Sequence, residues 1–273
     1  MSNRNSQANK AAARDRLRAE RERQAKKDKI RKQVVVAVSV VAVLAVAGGV
    51  GYAVMEMNKP SHWDSVADEK NITAPKNTSG DDGTTVVIGK PAAKKTLEVY
   101  EDSRCPVCAT FEQTVGETVR KDVEAGKYKI QYIGATFLDG DKSSNGTGSK
   151  NALSALGAAL DVSSDAFLDY KAALYSAKFH PEETDDKLSK DEYLIEIANS
   201  VDALKGNAAF QKNVKDGTYD GWAMKMSKKF QDSGVTGTPT LKMDGKTITA
   251  EGQKNAPMTV PDYTTAIAKA LKG

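Results

Sequence analysis

The chain has 273 residues, of which 40% are hydrophobic and 28% charged, and this composition excludes collagen-like and wholly disordered proteins. Its two cysteines exclude a multi-disulfide scaffold and a Cys-rich zinc module, and its two widely separated histidines argue against a His-rich metal site. The net charge of +4 is uneven: residues 1–33 hold twelve Lys/Arg and four Asp/Glu, and the remainder has a net charge of −4. This mildly acidic remainder argues against nucleic acid as a partner.

The first predicted element is a transmembrane helix. An uncharged run begins at Val34 and ends at Val54, and about 20 apolar residues suffice to cross the hydrocarbon core of a bilayer. The basic segment of residues 1–33 precedes it directly, so the positive-inside rule places that segment in the cytoplasm and the chain beyond the run outside the cell. We therefore expect a single-pass protein of the cell membrane that contacts lipid through residues 34–54.

The alternative for this run is a cleaved signal peptide. Small residues at Gly51 and Ala53 are compatible with a cleavage site. The apolar run is longer than the 7–15 residues of a usual signal-peptide core, and the segment before it is very long. An uncleaved signal-anchor is the favoured interpretation.

Residues 55–83 are predicted to be a flexible tether, because residues 71–83 are rich in turn-forming residues and contain few aliphatic ones. An ordered pattern begins at residue 84. We predict strands over residues 84–88, 96–100 and 128–135, with a helix from near residue 105 to about residue 125 between the last two.

A long helical section follows the third strand. Its predicted helices cover residues 151–160, 165–176, 191–204, 207–214 and 222–231. A hairpin with strands at residues 239–243 and 246–250 comes next, turning at Asp244–Gly245. A final helix is expected over residues 261–271, with Pro261 in its first turn. The order of elements predicts an α/β fold.

The only two cysteines form the motif Cys105-Pro106-Val107-Cys108, at the predicted start of a helix. Residues three apart lie on nearly the same helix face, so the two sulfurs can form a small disulfide ring. Free N–H groups and the helix dipole favour a thiolate at Cys105, the species that reacts in thiol–disulfide exchange. Two thiolates cannot complete a zinc site, and a structural disulfide across so small a loop gives little entropic stabilisation. A redox-active pair is the favoured interpretation.

Two motifs together resemble the DsbA-like branch of the thioredoxin superfamily. They are EDSRCPVC at residues 101–108 and VTGTPT at residues 235–240. In that family the proline corresponding to Pro239 is cis and faces the cysteines, and the backbone of the preceding residue, here Thr238, pairs with an extended substrate. The resemblance covers residues 84–273. It implies a thioredoxin-like fold with a helical insertion, here at about residues 146–232, of the membrane-anchored type of Gram-positive bacteria.

The resemblance also implies the roles of the site residues. Cys105 and Cys108 are the catalytic pair, and Pro106, Val107, Thr238 and Pro239 contact the substrate. The activity is disulfide formation in exported proteins that contain cysteines, followed by reoxidation through a quinone-linked membrane partner. No cofactor and no metal are implied.

The motif departs from the family pattern at two places. The well-known motif has His where this chain has Val107, so the disulfide is expected to be less oxidising unless Arg104 compensates. Family members often carry a buried acid on the strand before the motif. Glu98 and Asp102 are the candidates here, and a solvated charge at the strand end is the favoured interpretation for either.

Two other functions stay open. Val107 is compatible with a membrane-tethered reductase or isomerase supplied by an electron donor. A non-catalytic thioredoxin-fold binding module with a structural disulfide is the third possibility. A redox titration of the Cys105–Cys108 pair discriminates among the three.

Overall fold

The structure is a computed structural model that describes residues 61–140 and 146–272, and between residues 14 and 32 all but positions 15, 19, 25 and 30. The chain divides into two units, residues 1–60 and 61–273. In the first unit, the described residues between 14 and 32 are helical and exposed. The predicted span of residues 34–54 lies outside the described residues, and none of the described helices is long and apolar enough to cross a membrane.

A mixed five-stranded sheet forms the centre of the second unit, in the order β1-β3-β2-β4-β5. The strands are β1 Val86–Ile88, β2 Thr96–Asp102, β3 Lys129–Ala135, β4 Thr240–Met243 and β5 Lys246–Thr247. Only the β2–β3 pair is parallel, with Thr96 opposite Lys129 and Asp102 opposite Ala135. Their carboxyl ends therefore share one edge of the sheet, and the chain segments that follow both strands begin there.

The helices are α1 His62–Ala67, α2 Pro106–Phe111, α3 Glu117–Ala125, α4 Gly148–Val162, α5 Ser164–Leu174, α6 Asp191–Ala198, α7 Ala208–Lys215, α8 Asp220–Asp232 and α9 Val260–Lys272. Helices α4 to α8 lie between β3 and β4 in sequence, in agreement with the predicted insertion. α4 is its central helix, with eleven buried residues in fifteen. Gly157 of α4 allows the Trp222 ring of α8 to lie against its backbone, since an added Cβ would be 2.9 Å from Trp222 Cε3.

The tether predicted over residues 55–83 is wrong in its described part, residues 61–83. Ser61 and Asp64 form a reciprocal capping box that starts α1, and Trp63 and Val66 are buried. His62 Nε2 lies 2.7 Å from Asp220 Oδ2, and Trp222 Nε1 donates to the Gly83 carbonyl at 2.9 Å. The segment has the turns that its composition predicts, but its buried apolar side chains, Trp63 and Val66, pack it against the rest of the unit. Residues 55–60 lie outside the described residues.

Three predicted elements differ most from those of the structure. The helix predicted over residues 105–125 is interrupted by a π-helical turn, Glu112–Gly116, where the Thr114 hydroxyl donates to the carbonyls of Thr110 and Met258. The helix predicted over residues 191–204 ends at Ala198, and the side chain of the next residue, Asn199, accepts a hydrogen bond from Gly206 N. The last strand is only two residues long.

Candidate active site

The two cysteines lie at the sheet edge where β2 ends. Cys105 is the N-cap residue of α2, Pro106 is its first residue, and Cys108 lies one turn inside. Both are free thiols in the structure. Cys105 is 7% exposed and Cys108 is 0% exposed, so a reaction partner reaches Cys105 first.

The surroundings of Cys105 favour its thiolate. A hydrogen bond from the Cys108 thiol is the largest cause and lowers the pKa of Cys105 to about 6, against the opposing effect of burial. Thr238 and the backbone N–H groups of Cys108 and Val107 lower the pKa further. In the protonated form, Cys105 Sγ donates to the Thr238 carbonyl at 3.5 Å. Cys105 therefore reacts as a thiolate at neutral pH.

Cys108 has the opposite electrostatics. Burial raises the pKa of its thiol well above the ordinary value, and its hydrogen bond to Cys105 and the charges of Cys105 and Glu101 act in the same direction. The two thiols of one motif thus differ in both exposure and acidity. A thiolate is held at the accessible sulfur and a proton at the buried one.

The second motif reaches the cysteines as predicted. The Thr238–Pro239 peptide bond is cis, and Thr238 contacts Cys105 although 132 residues separate them in sequence. A groove of about 620 Å³ extends from this point, and Val107, Thr238 and Pro239 line it. Pro106 is exposed on the first turn of α2 and lies outside this lining. Three of the four predicted substrate-binding residues therefore share one surface next to the accessible sulfur.

Of the two candidates for the expected buried acid, Asp102 is buried and Glu98 is not, and a third acid, Glu101, is buried as well. Glu98 is half-buried and accepts a hydrogen bond from the Tyr100 hydroxyl at 2.7 Å. Glu101, at the end of β2, is buried instead, and burial raises the pKa of its carboxyl to about 7 although Lys171 lies 3.2 Å away. Lys171 Nζ also lies 2.5 Å from Glu112 Oε2, so a buried cation is shared by two carboxylates behind the cysteines.

Asp102 is also buried rather than solvated. It is 0% exposed, and burial raises the pKa of its carboxyl to about 7. Ser149 Oγ donates to it at 2.6 Å, and Arg104 N donates at 3.0 Å. The carboxylate thus joins the residues before Cys105 to the first turn of α4. Among the described residues, no cluster of His, Cys, Asp and Glu is arranged to hold a metal ion.

Arg104 does not take the place of the missing histidine. Its side chain is 1% exposed and is turned into the protein, where Nη1 lies 3.1 Å from Asp139 Oδ1. The suggestion that Arg104 compensates for Val107 through its charge is therefore wrong, because that charge is paired with a buried carboxylate. Val107 is 49% exposed and presents an apolar side chain beside the cysteines.

Comparison with known proteins agrees with this geometry. Residues 81–268 match the family model described as Thioredoxin. The chain belongs to the thioredoxin family. Over 163 residues it is 24% identical to disulfide bond formation protein D of Bacillus subtilis (strain 168), which covers 59% of this chain and 68% of that protein. This thioredoxin-family chain is thus similar to a protein of disulfide bond formation.

Solved structures show the same thioredoxin-family fold. DsbA of Mycobacterium tuberculosis is 25% identical, with a TM-score of 0.52 over 68% of this chain and 99% of that one. MdbA of Actinomyces oris, a thiol–disulfide oxidoreductase, is 20% identical, with a TM-score of 0.59 over 73% of this chain and 93% of that one. The predicted DsbA-like thioredoxin fold is confirmed by these matches, and the similarity to disulfide bond formation protein D supports the predicted thiol–disulfide oxidoreductase activity.

Sequence reasoning missed the part that the insertion contributes to the site. Lys171 of α5 and Tyr175 just beyond it lie beside the cysteines or their neighbouring acids. Nothing in their local sequence distinguishes them from the other lysines and tyrosines of an amphipathic helix. Glu101 offered a signal, because it directly precedes Asp102 at the end of a strand that leads to the motif.

Proposed function

We propose that the protein oxidises pairs of cysteines in exported proteins by donating its Cys105–Cys108 disulfide. The observation that carries this direction of reaction is the place of Cys105 at the N-cap of α2, where the Cys108 thiol and the backbone N–H groups of Cys108 and Val107 lower its pKa to about 6. A stabilised thiolate stabilises the reduced enzyme, and a disulfide whose reduced form is stabilised is a stronger oxidant. Val107 and Thr238, which lie next to Cys105, line the groove in which a substrate segment would bind.

The reaction is two successive exchanges. A substrate thiolate attacks Cys105 Sγ, the Cys105–Cys108 bond breaks, and Cys108 leaves as a thiolate that takes up a proton. A second substrate thiolate then attacks the substrate sulfur of the mixed disulfide, and Cys105 leaves as the stabilised thiolate. The substrate loses two electrons and two protons. The enzyme gains both electrons and keeps one proton, on Cys108, while the other goes to solvent.

Substrate positioning is assigned to the groove beside Cys105. The Thr238 carbonyl lies at its end near the sulfur, and a cis proline after it has no N–H that would need a partner. The apolar Val107 side chain forms the other side of the approach. An extended substrate segment that pairs with the backbone before Pro239 brings its own sulfur to Cys105.

The membrane assignment belongs to the same proposal. The basic residues before residue 34 and the uncharged run to residue 54 support an uncleaved anchor, with the catalytic unit outside the cytoplasm. Turnover requires that the reduced Cys105–Cys108 pair be reoxidised, and a quinone-linked protein in the same membrane would do this. An anchor keeps the two partners in one plane.

A trapping experiment tests the activity. In the Cys108→Ala variant, the Cys105 thiolate should attack a substrate disulfide and displace one substrate thiolate, and the mixed disulfide should accumulate because Cys108 is not there to resolve it, while Cys105→Ala should form none. Accumulation of adducts through Cys108 in the Cys105→Ala variant instead would reverse the assignment.

The equilibrium of the wild-type Cys105–Cys108 pair with glutathione tests the direction of the reaction. A potential close to the roughly −270 mV of thioredoxin, rather than the roughly −120 mV of DsbA, would favour the reductase.

A further inference from the structure

Arg104, the residue directly before the reactive cysteine, is one of the most buried charged residues described. Its guanidinium lies between the turn after β3, which holds Asp139, and residues 183–186 of the insertion, both distant from it in sequence. Nη2 donates to the Glu183 carbonyl at 2.7 Å, and Nη1 lies 3.1 Å from Asp139 Oδ1 and 3.5 Å from Asp186 Oδ1. A planar group with several fixed donors suits this arrangement, because it binds several acceptors at once.

The acids around Arg104 also hold the first turn of α4. Asp139 accepts hydrogen bonds from Ser149 N at 2.9 Å and Lys150 N at 2.8 Å. Asp186 accepts from Thr147 N and Gly148 N. These N–H groups have no partner within the helix, and carboxylates at a helix N-terminus are stabilised by its dipole. The guanidinium balances charge that would otherwise be buried beside α4 without a cation.

A second contact ties the same loop to the insertion. The Ser103 backbone forms a hydrogen bond with the His180 ring, which stacks on Tyr175 with ring centroids 5.8 Å apart. Tyr175 packs in one apolar cluster with Cys105 and Cys108. A segment of the insertion that includes His180 and Glu183 thus contacts residues 103 and 104, and the next residue is the nucleophile Cys105.

We infer that Arg104 is a positioning residue for the redox reaction. Its contacts with the insertion fix the position of residues 103–105, so that Cys105 Sγ stays beside Thr238 and the N–H groups at the start of α2. The inference rests on the proposed function, because it concerns the same sulfur. Arg104 acts through the position of the loop, since its own charge is balanced by Asp139 and Asp186.

The test compares Arg104→Met with a matched control, Arg120→Met. Arg120 also connects the thioredoxin part to the insertion, because it pairs with Asp169 of α5, but it lies on α3 away from the cysteines. Thiolate absorbance at 240 nm against pH gives the pKa of Cys105, and equilibration with glutathione gives its oxidising strength. Arg104→Met should raise the pKa by one unit or more and weaken oxidation of glutathione about tenfold. Arg120→Met should change neither.

Three results would overturn the inference. The first is a lower melting temperature of Arg104→Met with an unchanged Cys105 pKa and glutathione equilibrium, which would leave Arg104 a purely structural role. The second is an equal shift in Arg120→Met. The third is full recovery by Arg104→Lys, because a lysine retains the charge but does not span Asp139 and the Glu183 carbonyl.

A milder variant keeps the inference testable if Arg104→Met does not fold. Asp186 is partly exposed, and Asp186→Asn removes its charge beside Arg104 while it keeps an acceptor for α4. It should raise the Cys105 pKa in the same direction, with a weakening of glutathione oxidation of about twofold, and no change would contradict the inference. Failure of the proposed function is a separate result, seen as a wild-type protein that exchanges with no dithiol.

Discussion

The chemistry at the scale of single residues comes from one difference between Cys105 and Cys108. The chain turns from β2 into α2 at Cys105, which places this sulfur at free N–H groups and beside Thr238. One helical turn later, Cys108 is fully buried. The same four-residue motif therefore supplies a stabilised thiolate and a thiol that retains its proton.

The pH dependence of the reduction potential follows from this difference. Above about pH 6, reduction of the disulfide takes up one proton, because Cys105 becomes a thiolate and Cys108 a thiol. Below pH 6 both sulfurs are protonated and two protons are taken up. Each proton contributes about 30 mV per pH unit for two electrons. The potential should therefore fall by about 30 mV per pH unit above pH 6 and by about 59 mV below it.

Redox equilibration with glutathione between pH 5 and pH 10 measures these slopes. Glu101 and Asp102 are the nearby groups whose titration could alter them, since burial raises the pKa of each carboxyl to about 7. The change of slope near pH 6 should persist in Glu101→Gln and in Asp102→Asn, each of which removes one of these titrations. A change of slope near pH 9, the range of an unperturbed cysteine, would show that Cys105 has no stabilised thiolate.

The elements of the fold differ in how well the sequence predicts them. β2 and β3 were predictable because their side chains alternate and β-branched residues recur, and α2 because Pro106 marks its first turn. The cis Thr238–Pro239 bond and its contact with Cys105 were predicted from the resemblance alone. The other elements depend on long-range contacts. α1 and the chain after it are ordered because they pack against α8, and no local sequence pattern predicts this packing.

The site was predictable to the same extent. The four residues Cys105, Cys108, Thr238 and Pro239 were recognisable from motifs that the family shares. Lys171 escaped prediction, because its place behind the cysteines depends on how the insertion packs on the sheet. The sequence suggested that the charge of Arg104 stabilises the Cys105 thiolate, because it shows that an arginine is adjacent to the cysteine. It does not show that the side chain is turned into the protein.

Packing of the segment before β1 against α8 can be tested at one glycine. Gly221→Ala in an open helix position would stabilise the protein by about 1 kcal/mol. Here a methyl group at Gly221 would lie 2.8 Å from Ile72 Cγ2, a branch with little freedom to move. Overpacking costs about 1–3 kcal/mol, so we expect net destabilisation of about 1 kcal/mol, or roughly 2–4 °C in melting temperature.

A double-mutant cycle supplies the control. In the Ile72→Ala background the methyl group has room, so the same Gly221→Ala change should become stabilising. Thermal melts of the four proteins give the coupling between the two positions. If Gly221→Ala stabilises the protein to the same extent in both backgrounds, residues 61–83 do not pack on α8 as described.

At the scale of the whole molecule, the boundary between the two units lies at residues 60 and 61, well before the first strand. A chain that begins at Ser61 should therefore fold and oxidise dithiols as the full chain does. A chain that begins at Thr84 loses the buried Trp63, and loss of one buried tryptophan side chain costs about 3–5 kcal/mol. Urea unfolding of the two chains measures the difference. Equal stabilities would restore the tether over all of residues 55–83.

The predicted anchor can be tested by comparing the full chain, which should be bound to the membrane, with the chain that begins at Ser61, which lacks the anchor. The full chain should stay with the membrane after an alkaline carbonate wash, because a 21-residue uncharged run inserted in the bilayer is not released by charge repulsion. The chain from Ser61 should be soluble and should keep its activity.

The orientation of the anchor has its own test. A membrane-impermeant maleimide applied to intact cells should label Cys105 of the reduced full chain, as the positive-inside rule places that residue outside the cytoplasm. The mass of the purified protein distinguishes the rival: cleavage near residue 53 would remove the basic segment and the run together, and the protein would then leave the membrane fraction.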